Sequence, residues 1–115
     1  NINKDAVNDP KAAYPKGKVV AGGYTDRFMS DYPNLYADTS AFSGLNAILR
    51  DEDHYRGFLE RHQDRICFGS DCPDNFGHGP TCTGSSLISA IRRLAPSKAV
   101  ERKVLYENTR QLLKL

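Results

Sequence analysis

Apolar residues in this chain fall into short runs and helix-spaced stripes, divided by clusters of turn-forming residues. Residues 1–18 have no period and carry Asn, Asp, Lys, Gly and two prolines, which predicts loop. Lys18-Val19-Val20-Ala21 is a brief apolar run closed by Gly22-Gly23. Thr25 stands where it could cap a short helix from Asp26 to about Tyr32, with Phe28 and Met29 turned inward. Tyr32-Pro33-Asn34 stops that helix. Leu35-Tyr36-Ala37-Asp38-Thr39 then reads as a strand, and Ser40 to Gly44 leads into a weaker helical stretch from Leu45 to Leu49. The next helix is clearer: Asp51 is its N-cap, and Tyr55, Phe58 and Leu59 follow at i, i+3 and i+4 as one buried stripe. Gly57 inside it costs about 1 kcal/mol relative to alanine, so packing has to carry the helix to its end near His62. His54 and His62 read as surface residues of a charged helix.

Ile66-Cys67-Phe68-Gly69 is a second strand, apolar on both faces as strands of a parallel sheet are. A loop with Gly77, Gly79 and Gly84 precedes a helix from Ser86 to Leu94 that sets Leu87, Ile88, Ile91 and Leu94 on one face. Ser97 caps a further helix containing Val100, Val104 and Leu105, and Asn108 with Gln111 has the spacing of a capping box for a last turn. The order predicts an α/β fold with only two strands. A two-stranded parallel pair is not a stable sheet by itself, so the chain is expected to be part of something larger. With 115 residues it is one domain at most. A whole (β/α)₈ barrel, at about 250 residues, is excluded unless this is a piece of one.

Charge and cysteines narrow the partners. From Arg92 to Leu115 seven basic residues face two acidic ones, a local +5 against −3 for residues 1–91. These charges interleave with apolar positions at helical spacing, as solvated faces do, and no aromatic ladder or glycine clamp accompanies them. No nucleic-acid partner is expected. Apolar runs of three or four residues exclude a membrane-spanning helix, so no membrane partner is expected either. Three cysteines, Cys67, Cys72 and Cys82, make no disulfide framework and fit a reducing compartment such as the cytoplasm, with one bridge plus one thiol as the other arrangement.

Four groups of residues could carry chemistry. Asp71, directly after a buried strand, stands where sheets and barrels place catalytic groups, or else is a turn aspartate bonding its own backbone. Asp38 ends the preceding strand; on parallel neighbours the two carboxylates would open toward one rim and serve a metal or an acid–base pair, while a cap or salt bridge is the plainer role. Cys72, His78 and Cys82 offer sulfur and imidazole to a metal but lack a fourth ligand and a cysteine knuckle, and a Cys72–Cys82 loop disulfide is the alternative. The stretch from Gly77 to Ser86 runs into a helix N-terminus, an anion-friendly place, yet it has no Gly-Lys-Ser/Thr and Pro80 removes an amide donor.

Ile66-Cys67-Phe68-Gly69-Ser70-Asp71-Cys72-Pro73 resembles the eighth-strand motif of the amidohydrolase-related, metal-dependent hydrolases. Tyr32-Pro33-Asn34-Leu35-Tyr36-Ala37-Asp38-Thr39-Ser40 resembles their seventh strand, and Phe58 to His62 the helix between. Leu87 to Leu94 is similar to the eighth helix, and Tyr106-Glu107-Asn108-Thr109-Arg110-Gln111-Leu112-Leu113 to the terminal asparagine-containing segment. The similarity runs in order over about residues 17–115. It implies the C-terminal fragment of a (β/α)₈ TIM barrel, in a family that holds one or two divalent metals, zinc foremost, at its C-terminal rim.

The resemblance implies that Asp71 binds metal or takes the proton from attacking water, and that Asp38 is structural or substrate-facing; His78 is a further structural or substrate-facing candidate. The implied reaction is metal-assisted hydrolysis of an amide, ester or lactone. A non-oxidative decarboxylase on the same scaffold is one alternative, a non-enzymatic small α/β interaction module another. The implied partner is a small-molecule substrate, with a homo-oligomer left open. The family's His-x-His occurs nowhere in this chain. One aspartate cannot hold a catalytic zinc, which takes about three protein ligands, so the fragment by itself is expected to be inactive.

Overall fold

The structure, a computed structural model, describes residues 14–73 and 81–115. Its elements run α1 (Tyr24–Asp31), β1 (Ala37–Asp38), α2 (Ala41–Leu49), α3 (Glu52–His62), β2 (Ile66–Cys67), α4 (Thr83–Leu94), α5 (Lys98–Arg102), a π-helical segment (Lys103–Glu107) and α6 (Asn108–Leu113). Helices dominate this mixed α/β arrangement. The two strands pair in parallel, Ala37 opposite Ile66 and Asp38 opposite Cys67. Both faces of β2 are buried, as its apolar composition requires. No helix among the described residues is long and apolar enough to cross a membrane.

The core forms where the helical stripes meet. Tyr55, Phe58 and Leu59 of α3 pack with Leu87, Ile91 and Leu94 of α4, and Ile48, Ile66, Val100 and Val104 join them. Asp51 caps α3 by accepting from His54 N–H at 3.2 Å. Its other oxygen accepts from Val19 N–H at 2.8 Å, which straps the segment before α1 onto the helix start. Ser97 caps α5 through Val100 N–H. Gly57 has space: a β-carbon there would meet only the end of the flexible Arg61 side chain, at 3.1 Å. Gly57→Ala should therefore raise stability by up to about 1 kcal/mol through helix propensity, measured as a rightward shift of the urea midpoint.

Several sequence expectations change. Helix α1 starts at Tyr24 with Gly23 as N-cap and no side-chain cap bond, so Thr25 is inside it. Met29 is buried, but Phe28 is exposed and stacks on Tyr24 at a centroid distance of 5.8 Å. Helix α2 begins at Ala41, directly after the strand. The strands are shorter than predicted because only Ala37–Asp38 and Ile66–Cys67 find ladder partners.

The largest difference is at the C-terminus. Asn108 does not cap; its buried amide donates to Gln63 C=O at 2.7 Å and Ile66 C=O at 2.8 Å. The chain runs helically from Lys98 to Leu113 through the π segment. Widening a helix frees a carbonyl from the usual i→i+4 bond, and Val104 C=O accepts from Phe68 N–H at 3.0 Å. Thus the side of β2 facing away from β1 is covered by the C-terminal helix. The basic C-terminal residues lie largely on solvated faces and pair with Glu101, Glu107, Glu52 and Asp64.

Candidate active site

Parallel pairing brings the ends of β1 and β2 side by side, with Asp38 opposite Cys67. Asp38 is the last residue of β1, and its Oδ1 accepts from Ser40 N–H at 2.6 Å, an aspartate turn of the kind that starts a bend. The carboxylate lies directly over Gly69 of the neighbouring strand end. A β-carbon at Gly69 would fall 2.7 Å from Asp38 Oδ2 and 2.8 Å from Oδ1, so a larger residue there would force the Asp38 carboxylate to move.

Asp71 follows two residues later, exposed, with φ +43. That left-handed backbone costs about 1 kcal/mol or more for most side chains and is tolerated best by Gly, Asn and Asp. The surrounding chain holds it there. Ser70 C=O accepts from Ala41 N–H at 3.3 Å and from Thr83 Oγ1 at 3.0 Å, and the same hydroxyl reaches Asp71 C=O at 3.4 Å. The turn bearing Asp71 is therefore clamped between the start of α2 and the start of α4. Gly84 makes this possible, because a β-carbon there would lie 2.9 Å from Ser70 Cβ.

His78 lies outside the described residues, and so does the middle of the Cys72-His78-Cys82 arrangement. Cys72 and Cys82 flank that gap as thiols, Cys72 half-buried and Cys82 buried. Among the described residues no group of three or more His, Cys, Asp or Glu side chains could hold a metal ion. A cavity of about 480 Å³ opens instead between the segment before α1 and helices α2 and α3, and neither Asp38 nor Asp71 lines it.

One polar cluster was missed in the sequence. His62 is buried, not on the surface, and its Nε2 meets Asp26 Oδ1 at 2.6 Å. Arg61 Nη2 donates to Asp26 Oδ2 at 2.7 Å, and the Phe58 ring sits 4.8 Å from the imidazole. Extending the Tyr55, Phe58, Leu59 stripe by one more step would have reached His62.

Burial pushes the Asp26 carboxyl up, but hydrogen bonds with His62 and Arg61 outweigh it and hold the group below its usual 3.8. A carboxyl depressed on folding stabilises the fold above its unfolded value and loses that contribution as pH falls through the folded one. Asp26→Asn should therefore lower the urea midpoint at neutral pH, and the gap from wild type should close below about pH 4, the unfolded value of a free aspartate.

The amidohydrolase family model matches residues 25–115, from the second residue of α1 to the end of the chain. The chain belongs to the amidohydrolase family. No curated protein and no solved structure matches it. The amidohydrolase match covers both strands, Asp38 and Asp71, and leaves the strap that binds Asp51 outside.

Proposed function

We propose that this chain is the C-terminal part of a (β/α)₈ hydrolase barrel, with β1 and β2 as its seventh and eighth strands, and that Asp71 is its proton-transfer carboxylate. The observation that supports the reading is the parallel register of β1 and β2: Asp38 ends the one and the turn bearing Asp71 follows the other, and barrels place their chemistry beyond such strand ends. Tyr24 and Phe28 of α1, Tyr32 at its C-cap, and Leu35 and Tyr36 before β1 are exposed, an apolar surface of the kind that further structure covers in a larger fold.

The described residues do not by themselves fit a divalent metal, zinc included, since they bring no three ligating groups together. The carboxylate of Asp71 accepts the proton of a water as the water oxygen adds to the carbonyl carbon of an amide, ester or lactone. It returns that proton to the departing nitrogen or oxygen as the tetrahedral intermediate collapses. Asp38, engaged by Ser40 N–H, shapes the rim and faces substrate. Replacing Asp71 with asparagine and assaying ester, lactone and amide hydrolysis by the polypeptide as its source makes it tests the reading. Wild-type turnover in that variant would overturn it.

A further inference from the structure

We infer that Cys72 and Cys82 are a redox modification site that closes into a disulfide by exchange with a small disulfide of the glutathione class. The carrying observation is their juxtaposition over Gly84. A β-carbon on that glycine would lie 3.7 Å from Cys82 Sγ and 3.9 Å from Cys72 Sγ, so both sulfurs lie within 4 Å of one point. The backbones on either side are already tied: Thr83 Oγ1 donates to Ser70 C=O and reaches Asp71 C=O, which fixes the residues just before Cys72 to those just after Cys82. A bridge here brings the two sulfurs into disulfide geometry, and the clamp bonds involve Thr83, Ser70 and Asp71, not the cysteines.

The two thiols have different parts in the exchange. Cys72 is half-buried and open to a small oxidant, whereas Cys82 is 3% exposed. Cys72 sulfur attacks one sulfur of the small disulfide, whose S–S bond breaks and releases one small thiol; Cys72 now carries the other half. Cys82 Sγ, at the N-cap of α4, accepts from Ser85 N–H at 3.4 Å, which holds the sulfur at the helix start. It attacks Cys72 Sγ, the mixed disulfide breaks, and a second small thiol leaves. The two protein thiols are oxidised to one disulfide, the small disulfide is reduced to two thiols, and the protons of Cys72 and Cys82 end on those thiols. Cys67 stays out of the exchange because it lies in β2, on the strand side of the turn, and its sulfur is not among the three atoms nearest the Gly84 point.

The test treats the folded chain with glutathione disulfide, alkylates the remaining thiols and maps the cross-links by peptide mass spectrometry, in wild type and in C67S, C72S and C82S. The expected result is a Cys72–Cys82 linked peptide in wild type and C67S, alkylated Cys67 in wild type, and glutathione retained on Cys72 in C82S. In urea the preference for this pair should vanish. Alkylation of both Cys72 and Cys82 in the treated native wild type, or cross-links through Cys67, would overturn the proposal. Because C67S keeps both thiols, loss of fold in either of the other variants leaves the outcome readable. Hydrolytic turnover is not part of the readout, so the result stands apart from the role of Asp71.

Discussion

Asp71→Asn is expected to lower turnover of the hydrolysed substrate by about 10²–10⁴-fold, the usual contribution of a positioned acid–base group. The amide keeps the shape and polarity of the side chain but cannot accept the proton of the attacking water. Asparagine also suits the backbone: φ at Asp71 is +43, a region Asn enters nearly as easily as Asp. The carbonyls of Ser70 and Asp71 keep their Thr83 partner, because those bonds involve main-chain oxygens. The variant should therefore melt with wild type, and the loss should fall on kcat, with KM little changed, since the interaction is made in the transition state. Alanine is the poorer probe, because it adds left-handed strain to the lost carboxylate. Steady-state kinetics beside a thermal melt decides: unchanged kcat removes Asp71 from the chemistry, and a lowered melt would assign the loss to folding.

Gly44→Ala is expected to be the most damaging single-methyl change, at about 3 kcal/mol or more, the upper range for overpacking. A β-carbon at Gly44 would fall 1.8 Å from Thr39 C=O oxygen and 2.4 Å from its carbon, and both are backbone atoms with no rotamer to yield. Thr39 donates its N–H to Cys67 C=O at 3.1 Å, so moving it breaks the ladder next to Asp38. The close approach arises because the chain turns from β1 into α2 within two residues, with Ala41 at φ +66. Urea unfolding should show a large midpoint loss for Gly44→Ala, while Gly57→Ala, on the open side of α3, should move the other way. A Gly44→Ala midpoint equal to wild type would mean that the β1–α2 turn relaxes freely.

The contrast between these glycines shows what a sequence carries. Both lie in helices and look alike to propensity, which is a local property. Only the fold brings Thr39 carbonyl onto one and leaves the other open to Arg61. His62 makes the same point from a buried position. The i, i+3, i+4 stripe on α3 was readable, but its continuation to His62 depended on Asp26, far away on α1, arriving to partner the imidazole. Asn108 had the spacing of a cap and instead donates to carbonyls around the start of β2, because the π segment keeps the helix running past it.

The sequence by itself determined the order of elements, the buried face of α3 and α4, the caps at Asp51 and Ser97, and the family to which the chain belongs, since these rest on periodicity, local hydrogen bonding and linear motif order. Tertiary structure alone decided the register that sets Asp38 opposite Cys67, that Gly69 yields its side-chain space to the Asp38 carboxylate, and that the Cys72 and Cys82 sulfurs both lie near Gly84. Each is a contact between residues distant in the chain, and no local preference encodes which distant partner arrives.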